Sequence, residues 1–189
     1  MGHKIKIFSL IAVLMGVVSC SDTTDSGITI PEGQGTINVT GALETDHEGT
    51  SWFFGLSSEE QNSYNNFTLS LSDVGFASQE ESTYIFSIRM IGNGGPFELT
   101  TGEYTLGESE EVITAVSYTN KEGAERASYG TSPDVTGTVT IQSISDTSIE
   151  ASYNVRLQEV ISTGFLDNFV NITGDLTATC ITGVGDCPN

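Results

Sequence analysis

The sequence predicts an all-β protein, a single antiparallel β-sandwich of about nine or ten strands, with an open β-barrel as the alternative closure. Three observations carry this expectation. Apolar and polar residues alternate with period two in one stretch after another from Thr36 onward. Clusters of Gly, Asn, Asp and Ser separate those stretches at short intervals. Nothing beyond residue 20 carries convincing helical periodicity.

The strands follow in order. Ile37, Val39, Gly41 and Leu43 share one face of the first, with Thr36, Asn38, Thr40 and Ala42 on the other. Ser51-Trp52-Phe53-Phe54-Gly55-Leu56 forms the second, after a polar turn Glu44-Thr45-Asp46-His47-Glu48-Gly49-Thr50. Phe67, Leu69 and Leu71 alternate with Thr68, Ser70 and Ser72 in the third. Tyr84, Phe86, Ile88 and Met90 face Ile85, Ser87, Arg89 and Ile91 in a fourth, apolar on both sides at its ends and hence central. Asn93-Gly94-Gly95-Pro96 is a turn. Strand signals then cover 97–106, 112–119 and a short piece at 127–129. Residues 135–144 and 148–160 form the clearest hairpin, turning at Ser145-Asp146-Thr147, and 170–180 is the last strand.

The first twenty residues follow a different rule. Lys4 and Lys6 precede an almost wholly apolar run from Ile7 to Val18, then Ser19 and a lone Cys20. This is the layout of a secretory signal with a cleavage site. The run is about half of the roughly 20 residues that span a bilayer, so removal is expected. It has no polar face, which argues against a buried core helix. Val17-Val18-Ser19-Cys20 resembles the lipobox of bacterial lipoproteins, which implies acylation at Cys20 and a membrane partner through that anchor. A non-lipidated signal is the alternative, leaving Cys20 unpaired beside the cut. The expected organisation is a signal peptide (1–19), a lipidated flexible tether (20–35) and one β-domain (36–189), with no sign of a second boundary. Ser21 to Gly27 is polar and acidic, with no residue able to hold a core.

With Cys20 acylated, Cys180 and Cys187 remain as an even pair in an exported chain and read as a disulfide that pins the end of the last strand. Two cysteines with no histidine nearby do not make a zinc site.

The full chain carries 25 acidic residues against six Lys and Arg, a net charge of −19. Loss of Lys4 and Lys6 with the signal takes this to −21 and leaves Arg89, Lys121, Arg126 and Arg156 as the strong bases. Such a surface repels nucleic acid and anionic lipid head groups, and attracts cations and basic partners.

Few constellations point to chemistry. His47 is the one histidine beyond the signal, and as a general base it would need Asp46 or Glu48 to orient it. Adjacent residues rarely do so, and no serine stands on a G-x-S-x-G elbow. An exposed loop histidine and a non-enzymatic domain are expected. Asp46, Glu48 and the Thr50 hydroxyl are candidate calcium ligands, as is Glu108-Ser109-Glu110-Glu111, both without EF-hand spacing. Trp52 is a candidate ligand-stacking residue if exposed, and a core residue if not. Exposure of Trp52 and Tyr118 separates a glycan-binding module from a structural or protein-interaction one.

Residues 97–180 resemble a group of β-sandwich lipoproteins of Bacteroidetes-type bacteria. The resemblance lies in Gly102-Glu103-Tyr104-Thr105-Leu106, in 137–144, in the strand 149–157 and in Val170-Asn171-Ile172-Thr173-Gly174-Asp175-Leu176. Where that group often has G-x-F in the second hairpin arm, this chain has Ala151-Ser152-Tyr153. Asp22 and Asp25 resemble the acidic surface-export signal of the same bacteria, and Asp22-Thr23-Thr24 their O-glycosylation motif. The resemblance implies the fold and an outer-membrane location in the cell envelope, surface-exposed or facing the periplasm; a glycan or an envelope protein is expected separately as the domain's partner. It implies no activity.

Overall fold

The structure, a computed structural model, describes residues 33–58, 63–121 and 126–188. The expected signal peptide, Cys20 and the tether as far as residue 32 lie outside the described residues. Twelve strands follow: β1 (Gly33–Gly41), β2 (Thr45–Ser57), β3 (Ser63–Ser72), β4 (Tyr84–Gly92), β5 (Phe97–Glu98), β6 (Gly102–Thr105), β7 (Gly107–Glu108), β8 (Val112–Asn120), β9 (Ala127–Gly130), β10 (Gly137–Ile144), β11 (Ser148–Ile161) and β12 (Gly164–Cys180). The all-β class is as the alternation predicts. The one helical piece among the described residues is a 3-10 turn at Phe76–Glu81.

All strands join one continuous sheet, whose main path runs β1-β12-β2-β3-β4-β8-β9-β11-β10-β6, with β5 paired to β3 and β7 to β8 off that path. β11 also pairs with β12 along most of its length, so the sequence of neighbours returns to its start. The sheet therefore wraps around one interior. Phe86 of β4 meets Tyr153 of β11 across that interior with ring centroids 4.5 Å apart, although β8 and β9 separate their strands in the sheet. Every strand pairing is antiparallel except β12 with β2, where Thr179 pairs with Trp52 and Cys180 with Phe53.

Period two decides which side chains enter the core. Ile37, Val39, Phe53, Phe67, Leu69, Leu71, Phe86 and Ile88 are each at most 1% exposed. Burial of each such side chain stabilises the fold by about 1.5–3 kcal/mol before the entropy of ordering is counted.

The rings need room, and glycines supply it. Tyr84 of β4 lies over Gly49 of β2, where a Cβ would overlap its hydroxyl. Tyr64 of β3 lies over Gly55 in the same way. Tyr153 of β11 crosses Gly174 of β12 and donates a 2.6 Å hydrogen bond to the carbonyl of Thr36 on β1. That bond ties three neighbouring strands together.

Several boundaries differ from the sequence expectation: β12 begins at Gly164, six residues before Val170, and 97–106 divides into β5 and β6. β1 begins at Gly33, not Thr36. Gly33-Gln34-Gly35 has a linker's composition, yet both glycines sit against β12, where a Cβ would overlap Thr177 O or crowd Leu176. The polar stretch 45–50 is not a turn but the first half of β2, paired residue by residue with β1. Its two carboxylates, Asp46 and Glu48, lie on the outer face, while His47 and Gly49 face inward.

The ring-over-glycine packing predicts that Gly174→Ala lowers stability by about 1–3 kcal/mol, read as a reduced urea midpoint. Gly95→Ala, which adds a methyl with no atom within 4 Å, should stay within about 0.5 kcal/mol of the parent.

Candidate functional site

β11 and β12 run past their neighbours. β9 pairs with β11 only at Gln158 and Glu159. β1 pairs with β12 no further than Val170, with one more hydrogen bond from Ala42 N to Phe169 O. Residues 160–168 therefore project as a two-stranded finger. Its tip carries Val160, Ile161, Phe165 and Leu166, each 37–47% exposed. Val160 and Phe165 are cross-strand partners, so apolar side chains meet at the tip with no core beneath them. Four exposed apolar side chains gathered at one tip form the kind of patch through which domains make contacts.

The finger is held in shape from its base. Gln158 is buried; its amide donates to Leu166 O at 2.9 Å and its carbonyl oxygen accepts from Ser132 Oγ at 2.5 Å. This clamp sits at the bulge between Gln158 and Val160. Asn168 donates to Glu159 Oε2 at 2.7 Å, and the Arg156 guanidinium lies 4.0 Å from the Phe169 ring centroid. The tip is thus preorganised, which lowers the ordering cost of docking.

A cleft of about 330 Å³ opens where β9 and β11 part, lined by Lys121, Arg126, Thr119, Ser128, Val160 and Ile161. Arg126 Nε donates to Lys121 O, and Lys121 Nζ donates to Ser82 Oγ at 3.0 Å. At the opposite pole, a cleft of about 500 Å³ is lined by Glu98, Glu103, Glu110 and Glu111 beside Phe97 and Tyr104.

The residues singled out from the sequence fall elsewhere. Trp52 is 1% exposed. It points to the outer face of β2, where its ring meets Phe76 edge-on at 6.0 Å, while Phe53 enters the core against Phe67. A covered ring has no face to offer a ligand, so the ligand-stacking reading of Trp52 does not hold. Tyr118 is also fully buried. The cover over Trp52 is the segment from Asp73 to Thr83. It is closed by the Asp73 carboxylate, which accepts from Thr83 N at 3.0 Å and Thr83 Oγ1 at 2.6 Å. Partial burial pushes the Asp73 carboxyl upward, but the Thr83 hydrogen bonds, with others from the backbone, outweigh it and hold it below its ordinary 3.8.

His47 is not an exposed loop residue. It lies within β2, stacked on Tyr84 at 4.0 Å, with Nε2 2.8 Å from the Tyr118 hydroxyl. Asp46 and Glu48 point to the opposite face, as period two requires, so neither orients it. Burial raises the Tyr84 hydroxyl far above its usual range, with Asp73, Tyr118 and Glu48 adding to the shift. Asp46 accepts from Asn38, and Glu48 borders a shallow outer depression with Thr36 and Asp175. Among the described residues, no group of three or more His, Cys, Asp or Glu is placed to hold a metal ion. Cys180 and Cys187 are bonded as a disulfide, with Cα atoms 5.8 Å apart. The loop they close is fastened back onto β2 through Asp186, whose carboxylate accepts from Ser57 Oγ and so sits below its usual range.

No family model, curated protein or solved structure matches this chain.

The finger escaped the sequence reading because Gly164-Phe165-Leu166-Asp167-Asn168 has no alternation. The signal that marks it is a polar Ser162-Thr163 turn flanked on both sides by apolar pairs.

Two outcomes are expected. Gln158→Ala leaves Leu166 O and Ser132 Oγ without this partner. It should cost about 1–3 kcal/mol and speed amide exchange across 160–168, measured by mass spectrometry. A carboxyl depressed in the folded state stabilises the fold above its unfolded value and loses that contribution as pH falls through its folded value. Asp73→Asn should therefore flatten the loss of stability below about pH 4 in urea titrations, the parent retaining the steeper acid limb.

Proposed function

We propose that this chain is a lipid-anchored protein of the bacterial cell envelope, acylated at Cys20, whose β-domain is a non-enzymatic docking module. The finger is its docking element and an envelope protein its partner. One observation carries the reading: the apolar finger and the point where the N-terminal segment leaves the domain lie at opposite poles. Gly33 lies beside Thr177 and the finger tip is twelve residues back along β12 at Phe165, about 40 Å away at 3.3 Å per residue. A domain anchored through residues preceding Gly33 holds its apolar tip away from the bilayer, where another protein is the natural occupant.

Charge states the partner's chemistry. Glu159 and Asp167 flank the tip, and the domain around it is strongly acidic. Lys121 and Arg126 line the cleft beside Val160 and Ile161, so the fitting surface is an apolar socket with a rim of mixed charge, cationic where it meets Glu159 and Asp167 and acidic where it meets this cleft. Burial of Trp52 and Tyr118 removes the aromatic platform that a glycan-binding reading required.

The test combines location with contact. Protease shaving of intact cells should remove the domain from the parent, while Cys20→Ala should release it from the membrane fraction altogether. A photoreactive phenylalanine at position 165 should give one defined protein adduct in living cells, weakened by Ile161→Asp. The same probe at Glu103, on the opposite pole, should give none. Adducts to lipid alone, or equal adducts from both poles, would sink the docking role. Unchanged membrane association of Cys20→Ala would sink the anchor.

A further inference from the structure

The two edges of the finger differ. At Gly33, β12 and β2 fork to admit β1; past that point they pair directly through Thr179–Trp52 and Cys180–Phe53. β1 then runs beside β12 as far as the Gly41–Val170 pair. There it turns off: Gly41 has a φ of +110°, a conformation that favours glycine, and Ala42 N makes one last hydrogen bond to Phe169 O. Residues 164–168 of β12 continue past this point, all exposed, with no described strand in the lane that β1 has left. The opposite edge is flanked, since Ala127 and Ser128 of β9 line the cleft with Val160 and Ile161.

The phase of the hydrogen bonds decides which main-chain groups face the vacated lane. In an antiparallel ladder, successive residues turn their amides and carbonyls to opposite neighbours. Cys180 N donates to the carbonyl of Thr147, which leads into β11, whereas Phe169 O accepts from the β1 side. Even-numbered residues of β12 thus turn to β11 and odd-numbered ones to β1. Leu166 keeps this phase across the bulge, because its carbonyl accepts from the Gln158 amide on β11. Phe165 and Asp167 therefore present N–H and C=O to the empty lane.

These four main-chain groups lie between apolar side chains. Phe165 and Leu166 point to opposite faces of the strand, as period two requires, and the run 164–168 carries neither the lysine nor the proline that commonly blocks an edge. We infer that the docking partner contributes an extended segment that takes up the lane of β1 and adds to the edge of β12 at 165–167. This mode of docking rests on the proposed role of the finger. The added segment sets apolar side chains beside Phe165 and Leu166, and a Lys or Arg opposite Asp167, where unlike charges on adjacent strands attract. Main-chain bonds supply the grip and side chains the selection. The Gln158 clamp fixes the phase of the edge before the partner arrives.

The test starts from the photoadduct formed in living cells through position 165. Asp167→Pro deletes the outward amide and leaves Val160, Ile161 and Leu166 in place. It should cut the adduct yield at least about fivefold, the loss of one hydrogen bond together with the clash of the ring against an added strand. Asp167→Asn keeps the amide and should retain more than half of the yield. Urea midpoints of both variants close to the parent value establish that the finger still folds. A second measurement needs no variant: in the purified adduct, hydrogen exchange at the Asp167 amide should be at least about tenfold slower than in the free protein. An adduct undiminished by proline in a folded domain, or an Asp167 amide that exchanges equally fast in adduct and free protein, would overturn strand addition while leaving the docking role standing. Absence of any adduct from the parent would remove the docking role and strand addition with it.

Discussion

The structure depends on a steric trade between tyrosine and glycine. Large rings on the inner wall of this sheet lie across an adjacent or next-but-one strand, and they fit only where that strand has no Cβ. Tyr84 over Gly49, Tyr64 over Gly55 and Tyr153 over Gly174 are three solutions to that one problem. Each ring fills the volume the glycine vacates, so the interior is closely packed although two strands carry residues that ordinarily weaken strands. Tyr153 adds a polar tie, because its hydroxyl reaches Thr36 on the far side of β12. The His47–Tyr84 stack and the His47–Tyr118 hydrogen bond extend the same layer of polar-edged rings.

Acidic residues collect on the outside, and the two poles differ in kind. One carries the apolar finger with Lys121 and Arg126 beside it, and the other an acidic cleft, the exit of the N-terminal segment and the disulfide. Among the described residues, the outer face of β2 offers Asp46 and Glu48 without a third acidic or histidine ligand. The distinctive feature of this surface is a preshaped apolar projection on a strongly acidic domain; on the proposed reading, that projection is what chooses the partner.

Much of the fold was legible because half-buried strands write their geometry into period two. β3, β4, β8, β10 and the first part of β11 fall where the alternation puts them. Misreadings arose where one face of a strand is polar for reasons other than solvent. The stretch 45–50 looks like a turn because its outer residues are acidic and its inner ones are His47 and Gly49, a pair that makes sense only once Tyr84 lies across them. Gly33-Gln34-Gly35 looks like a linker because close approach to another strand cannot be seen from one strand alone. Trp52 was ambiguous for a related reason. It does face outward, and it is covered by Phe76, which is twenty-four residues away in a segment with no period of its own. The finger was invisible because a hairpin apolar on both sides of its turn breaks the alternation that identifies strands.

The fork at Gly33 gives the domain a mechanical axis. β1 lies between β12 and β2, antiparallel to both, and its ladder to β12 runs from Gln34–Thr177 to Gly41–Val170. Tension applied between the residues preceding Gly33 and the finger acts along the strands, at right angles to the hydrogen bonds that join them. Those bonds are then loaded together in shear, not opened one after another from an end. A protein gripped at these two points would resist pulling along its length far better than peeling from the side.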